Sequence, residues 1–377
     1  MKPPLRIPIG LVIVTLSLPV AVRAQAPATQ TALTWSDVRT LTLEGQGWKE
    51  ADLKAPFDRL PAKADGVARP PVWSLSRDSA GIAVRFVTDS PEIHARWTVN
   101  KKDRLAMPHM PATGVSGLDL YARDPQGKWR WVAVGQPTEQ TNTKALVKGL
   151  SAGEREYMLY LPLYNGVTSV EVGVPTDRSV RPAAPRKAES AKPIVFYGTS
   201  ITHGGCASRP GMCHPAIVGR KLERPVINLG FSGNGTMDQS ISDLLVEIDA
   251  AVYVIDCLPN MTAAMVSART SPLVKTIRKA RPNTPILLVE DRTYTDSIFR
   301  PSQLERNETS RAALKSVYEK LKAEGIPELY YLEGEPQLGD DGEGTVDGSH
   351  PTDLGFMRMA DVFAPAISAA IGGGSSR

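Results

Sequence analysis

Two patterns of apolar and polar positions divide the chain. Between residues 31 and 180 the apolar residues come in short runs that alternate with polar ones: GIAVRFVTD, EIHARWTV, GLDLYARD, KWRWVAVG, EYMLYLPLYNG and SVEVGVP. A period of two sends successive side chains to opposite faces, so each run predicts a half-buried strand. Gly, Pro, Asn and Asp punctuate the runs, and in ARDPQGKWRW the residues Pro125 to Gly127 predict a hairpin turn. Short strands with turn signals at this spacing predict an antiparallel, jelly-roll-like β-sandwich, here an accessory domain over residues 25–180.

The stretch SVRPAAPRKAESAKP, Ser179 to Pro193, has neither period and is rich in Pro, Ala and charge. It predicts a boundary, with a linker over 181–192. Beyond it the runs IVFYG, PVINLGF, AAVYVIDCL, PILLVED and ELYYLEG alternate with longer helical patterns: Met237 to Ile248, Ala263 to Ala280, Gln303 to Ala323 and Asp353 to Ile371. That βαβα order predicts a parallel sheet with helices on both faces, a flavodoxin-like three-layer α/β/α domain over 193–371. The tail GGGSSR, 372–377, is predicted to be disordered.

The first residues follow another rule. Lys2 and Arg6 precede the apolar run IGLVIVTLSLPVAV, which ends at AVRAQA with small residues suited to cleavage after Ala24 or Ala26. This predicts a signal peptide, residues 1–24. Its removal lowers the formal net charge from +4 to about +1. No basic excess then remains to attract nucleic acid. With 42% apolar and 22% charged residues the mature chain is expected to be a soluble, secreted or periplasmic protein, with no membrane span after cleavage. Nothing in the pattern reports an oligomeric state.

That compartment permits disulfides. Of three cysteines, Cys206 and Cys213 could close the loop after Ser200, or Cys257 could reach Cys206; an odd number leaves one unpaired. Their spacing does not predict a metal site. All six tryptophans lie in the first half, and most are expected in the sandwich core, although Trp129 and Trp131 share a strand face that could stack against a sugar.

Ligands in open parallel sheets sit beyond the carboxyl ends of the strands. Here those ends read GTSITHGG, NLGFSGNG, DCLPNM, EDRTY and GTVDGSHPTDLG. Together they hold Ser200, Gly233, Asn260, Asp347 and His350. A serine hydroxyl needs a base to become a nucleophile, an imidazole of ordinary pKa is mostly the neutral base at neutral pH, and His350 is the candidate. Asp347, three residues earlier, can accept the second imidazole N–H and fix the tautomer. The N–H groups of Ser200 and Gly233 and the Asn260 amide are three candidate donors to a developing oxyanion. Taken alone, Ser200 could equally be a helix cap and the glycines plain turn residues. A phosphate cradle is disfavoured because GFSGNG has no P-loop lysine. Thr199, His203, Glu290 and Arg292 are candidate substrate contacts on the same rim, with Asp291, Tyr294 and His214 beside them. His94 and His109 are expected to be structural or surface residues.

In these motifs residues 193–371 resemble the SGNH, or GDSL-like, serine hydrolase family. Gly198-Thr199-Ser200 with Ile201-Thr202 matches its first block, Gly233 its second, Asn260 its third and Asp347-Gly348-Ser349-His350 its last. Thr199 stands where the family usually has aspartate, and LPNM replaces the commoner Gly-x-Asn-Asp. SGLDLYARD, Ser116 to Asp124, is similar to the Gly-x-Asp-Leu-Tyr segment of a β-rich domain that precedes one branch of these enzymes. The resemblance implies a carboxylic ester hydrolase acting through an acyl-enzyme, with no metal or organic cofactor. It points first to O-acetyl groups on a carbohydrate, so an acylated small molecule or polysaccharide is the expected partner. A lipid or thioester acyl hydrolase, or a glycan-binding protein on a hydrolase scaffold, are the other readings.

Overall fold

The structure, a computed structural model, describes Met1 and residues 32–373. The expected signal peptide and residues 374–377 of the expected tail lie outside the described residues, whereas Gly372 and Gly373 end the last helix, Asp353–Gly373.

The described residues from Leu33 onward form one compact unit. Its first half is two antiparallel sheets. One orders Leu33–Asp37, Val167–Pro175, Glu92–Val99 and Thr141–Lys148; the other is built on Ala83–Thr88, Arg155–Tyr160, Leu118–Arg123 and Trp129–Gly135. The inward positions of both, among them Val84, Phe86, Trp97, Leu118, Leu120, Leu159 and Val172, form the sandwich core. Trp97 is the one tryptophan wholly inside among the described residues. Trp35, Trp48, Trp73 and Trp129 are half-buried and Trp131 is exposed, which corrects the expectation that most would be core. Arg96, Arg123 and Arg209 lie over Trp35, Trp129 and Trp131, so cationic side chains cover faces that the core does not.

The second half is a parallel sheet in the order Val226–Gly230, Ile194–Gly198, Val252–Asp256, Ile286–Val289, Leu329–Leu332. All but the last strand are buried throughout, as near-continuous apolar runs require when helices cover both faces. Helix Asp353–Gly373 is apolar and long enough to cross a membrane, but Phe356, Met359, Ala360, Phe363 and Ile367 are buried in the core on one face of the sheet. The chain steps from Ile194–Gly198 to the neighbour on one side and then to the neighbour on the other. The switch point of the topology therefore lies at the end of Ile194–Gly198, next to Ser200.

The two halves share packing. Tyr121, Met158, Tyr160 and Tyr164 of the sandwich join Ile194, Phe196, Ile217 and Phe363 in one core. Arg59 is fully buried and donates to the carbonyls of Asn228 and Gly230, at 2.9 and 2.7 Å, and to those of Asp78 and Leu75. A planar guanidinium with five N–H donors can satisfy such a set of carbonyls at once, which a lysine cannot.

Candidate active site

Ser200 is the first residue of a helical turn, Ser200–His203, at the end of the strand Ile194–Gly198. The cap is Thr199, whose hydroxyl oxygen accepts from Ile201 N–H at 3.3 Å, so the capping role weighed for Ser200 belongs to its neighbour. Gly198 permits the tight exit: a Cβ there would lie 2.1 Å from Thr202 Oγ1 and 2.8 Å from Asp256 O. Thr202 in turn donates to Asp256 Oδ2 at 2.8 Å.

The hydroxyl of Ser200 donates to His350 Nε2 at 2.7 Å, and His350 Nδ1–H donates to Asp347 Oδ2 at 2.8 Å. With the Nδ1 proton on the carboxylate side, Nε2 carries the lone pair that a general base needs. The other carboxylate oxygen, Oδ1, accepts from the backbone N–H groups of His350 and Ser349 at 2.7 and 3.0 Å. Burial alone would raise the Asp347 pKa, but these hydrogen bonds and the neighbouring imidazole outweigh it and hold the carboxyl below its ordinary value. Gly348 closes the turn at φ 86°. A side chain there would be strained, and its Cβ would lie 2.9 Å from Asp296 Oδ1.

Gly233 sits at φ 68° in the loop after Val226–Gly230. That loop is pinned to the Ser200 strand: Phe231 N–H donates to Gly198 O at 2.9 Å, and a Cβ on Gly235 would strike Gly198 O at 2.1 Å. Asn260 Oδ1 accepts from Gly235 N–H at 3.2 Å. Since an N–H can only donate to the oxygen, the Asn260 amide nitrogen points away from Gly235, and it has no partner among the described residues. The N–H of Ser200 lies in a first helical turn, where backbone donors lack intrahelical acceptors. Three loops thus bring the candidate donors to one strand end.

The four candidate substrate contacts are placed differently from expectation. Thr199 is buried as the cap. His203 is buried, stacked on Tyr164 at 4.1 Å, and donates Nε2–H to Leu163 O at 2.6 Å; burial pushes its pKa well down. Glu290 accepts from Tyr331 Oη at 2.5 Å and from Gly334 N–H at 2.9 Å. Arg292 is buried and donates to Ser349 O at 3.0 Å, Ser349 Oγ at 2.8 Å and Asp291 Oδ1 at 2.5 Å. All four are bonded inside the protein, although His203 Nδ1 is buried without a partner among the described residues, and Arg292 holds the turn that carries Asp347 and His350 from behind. His214, also named for this rim, is buried, and its pKa is driven down to about 3 by desolvation and then by the Arg292 charge.

The three cysteines are buried free thiols, so neither pairing forms. Burial, helped by the Asp347 charge, raises the Cys206 thiol to about 12. A thiol so far from ionising is not a competing nucleophile.

Two residues near the site gave weaker sequence signals. Asp119 of GLDLY is buried on the face of its strand turned to the α/β half. Its Oδ2 accepts from Gly211 N–H and Arg209 Nη1, both at 2.8 Å, and its Oδ1 from Trp131 Nε1 at 3.0 Å. It thereby fixes the loop that follows the Ser200 helix. His109 lies with its ring centroid 6.4 Å from that of His350, across the boundary between the halves, where no periodicity could place it.

Comparison with known proteins follows the same division. Residues 191–368 match the GDSL-like lipase/acylhydrolase family, and residues 33–180 match the GxDLY domain described as the N-terminus of SGNH-hydrolase-type esterases. A GDSL-like lipase from Bacteroides ovatus is 36% identical with a TM-score of 0.84, over 90% of this chain and 98% of that one. The salicylyl-acyltransferase SsfX3 from a tetracycline biosynthetic pathway is 19% identical with a TM-score of 0.69, over 91% and 98%. An acetyl xylan esterase from the rumen bacterium Butyrivibrio proteoclasticus shares the fold at 10% identity and a TM-score of 0.55. No curated protein sequence matches the chain.

Proposed function

The chain belongs to the GDSL-like lipase/acylhydrolase, or SGNH hydrolase, family, and from that premise we propose that it is an exported serine esterase that removes O-acetyl groups from a carbohydrate. The observation that carries the reading is the continuous relay from Ser200 Oγ through His350 to Asp347, with both links under 3 Å. In the first half-reaction Ser200 Oγ attacks the ester carbonyl as His350 takes its proton. The tetrahedral oxyanion is met by the N–H groups of Ser200 and Gly233 and the Asn260 amide. Collapse breaks the carbonyl–oxygen bond, His350 returns the proton to the leaving alcohol, and an acetyl-enzyme remains. Water, deprotonated by His350, then releases acetate and restores Ser200. Each step is a proton or acyl transfer that these side chains perform themselves.

Support for a carbohydrate alcohol comes from the fold shared with the acetyl xylan esterase and from family two carbohydrate esterases of Clostridium thermocellum and Cellvibrio japonicus, the former solved with cellohexaose. Support for export comes from the residue pattern of the first 24 positions. Acetate release from a panel of acetylated polysaccharides tests the reading, with Ser200→Ala as control. Wild type should release acetate, and the variant should lose at least about a thousandfold in kcat. Equal release by both would remove Ser200 from the mechanism.

One observation favours a second reading. Val346, beside Asp347, is 51% exposed, and Ile298 and Phe299 are 79% and 81% exposed on the loop whose Thr295 N–H donates to Gly348 O. An apolar border of this kind suits a longer acyl chain, as in a lipid acyl hydrolase. A p-nitrophenyl ester series from acetate to palmitate separates the two: rates that rise with chain length would favour the lipid reading.

A further inference from the structure

The β-rich half carries an exposed imidazole next to the catalytic one. Residues Met107 to Met110 form a tight hairpin in which each methionine N–H donates to the other's carbonyl at 3.0 Å, with Pro108 and His109 at the tip. Pro108 restricts φ at the first tip position, and Pro111 opens the helical turn Ala112–Val115. Met110 is 2% exposed and packs in the same core as Val115, Ala207 and Cys213. Thr113 donates its hydroxyl to Ser208 O at 2.6 Å. The hairpin is therefore anchored onto the loop that follows the Ser200 helix. At its tip His109 is exposed, and its ring plane is tilted 38° from that of His350 at a centroid distance of 6.4 Å. Neither of its ring nitrogens has a hydrogen-bond partner among the described residues.

The position is restrictive. To receive its proton, a leaving-group oxygen must come within about 3 Å of His350 Nε2. A sugar or aromatic ring cannot slip between the two imidazoles, because two van der Waals contacts need about 7 Å or more between centres. The alcohol must lie across the edges of both rings, which sets its next carbons and oxygens beside His109.

The geometry points to His109 as one wall of the leaving-group subsite, hydrogen-bonding an oxygen of a polyoxygenated alcohol and selecting the alcohol rather than the acyl group. The β-rich half would then build part of the substrate site instead of only bracing it. This rests on the ester-hydrolase reading of Ser200.

The test is steady-state kinetics of wild type, His109→Ala and His109→Gln on three acetates, p-nitrophenyl acetate, glycerol triacetate and xylose tetraacetate. All three pass through the same acetyl-enzyme, so deacylation is common and differences report the alcohol. His109→Ala should lose about tenfold in kcat/KM on the glycerol and xylose esters, mostly as raised KM, the size of one hydrogen bond, and stay near wild type on p-nitrophenyl acetate. His109→Gln should recover part of the loss, with thermal unfolding of both variants at the wild-type temperature. An equal loss on all three esters, or none on any, overturns the assignment. If wild type cleaves glycerol triacetate but not the xylose ester, the carbohydrate reading fails and the glycerol ester still decides His109. A wild type inactive on every ester overturns the reading of Ser200 and this one with it.

Discussion

Arg292 is the residue whose removal best tests how the site is held. Its guanidinium makes two hydrogen bonds to Ser349, the residue between Gly348 and His350, and one to the buried carboxylate of Asp291. In Arg292→Met the apolar volume is roughly kept, but Asp291 loses its nearest cation and retains Arg306, at 3.4 Å, and the charge of Arg311, which donates to its carbonyl. Breaking a buried pair by removing one partner costs about 3–5 kcal/mol, and the two remaining arginines argue for the lower end, about 3 kcal/mol. The catalytic effect has a separate origin. Without its anchor the turn that carries Asp347 and His350 can shift, and a displacement of about 1 Å can cost on the order of a hundredfold in kcat. The double variant Asp291→Asn/Arg292→Met separates the two effects, because it removes the stranded charge but does not restore the anchor. Urea unfolding should show the double variant more stable than the single one, while hydrolysis of p-nitrophenyl acetate should stay depressed in both. If Arg292→Met unfolds within about 1 kcal/mol of wild type with unchanged kcat, the bracing argument is wrong. If the double variant recovers kcat together with stability, the effect belongs to the charge and not to the turn.

Gly348→Ala forces a side chain into φ 86° and against Asp296, so it should lower kcat by more than about tenfold at a stability cost of about 1–2 kcal/mol; a wild-type kcat would refute the need for that turn. Asp119→Ala strands the Gly211 N–H and Arg209, and should destabilise by about 3 kcal/mol and open residues 204–213 to limited proteolysis, whereas unchanged cleavage there would show that the contact does not hold the loop. Burial raises the Asp256 pKa to about 7 in the folded protein, against about 3.9 unfolded, so its stabilising contribution is complete below about pH 4 and lost as pH rises through 7. Asp256→Asn keeps an acceptor for Thr202 and removes the titration, so its stability advantage over wild type should grow between pH 5 and pH 8 by about 2–3 kcal/mol; parallel denaturation midpoints across that range would refute the assignment.

Elements with a strong period were legible in the sequence. Ala263–Ala280 has the expected bounds because Thr262 caps it and a full apolar stripe runs its length. Helix Met237 to Ile248 shortens to Gln239–Leu245 because Met237 takes φ 52°, outside any helix, and Asp238 is its cap. The strand Thr141–Lys148 was missed for a different reason: it is the edge of its sheet, and only Asn142 in it is buried, so its sequence TNTKALVK shows little apolar signal.

For the site, residues that meet through ordered strand ends were readable, and residues that meet through burial were not. Ser200, Gly233, Asn260, Asp347 and His350 each follow a strand or precede a helix of one sheet, so topology alone converges them. Arg292 follows a strand too, and a cation there is ordinarily solvated; its burial depends on Ser349, 57 residues away. Asp119 shows what period two conceals. Leu118, Leu120 and Ala122 point into the sandwich core, and the alternate face, with Asp119 and Tyr121, would ordinarily be read as the wet one. That face is buried as well, against Arg209, Gly211 and Arg220 of the α/β half. The motif GLDLY is thus one strand with two interiors. A carboxylate on its second interior is tolerable only because the loop after Ser200–His203 supplies the donors, so the fold of the β-rich half and the geometry of the site cannot be specified separately.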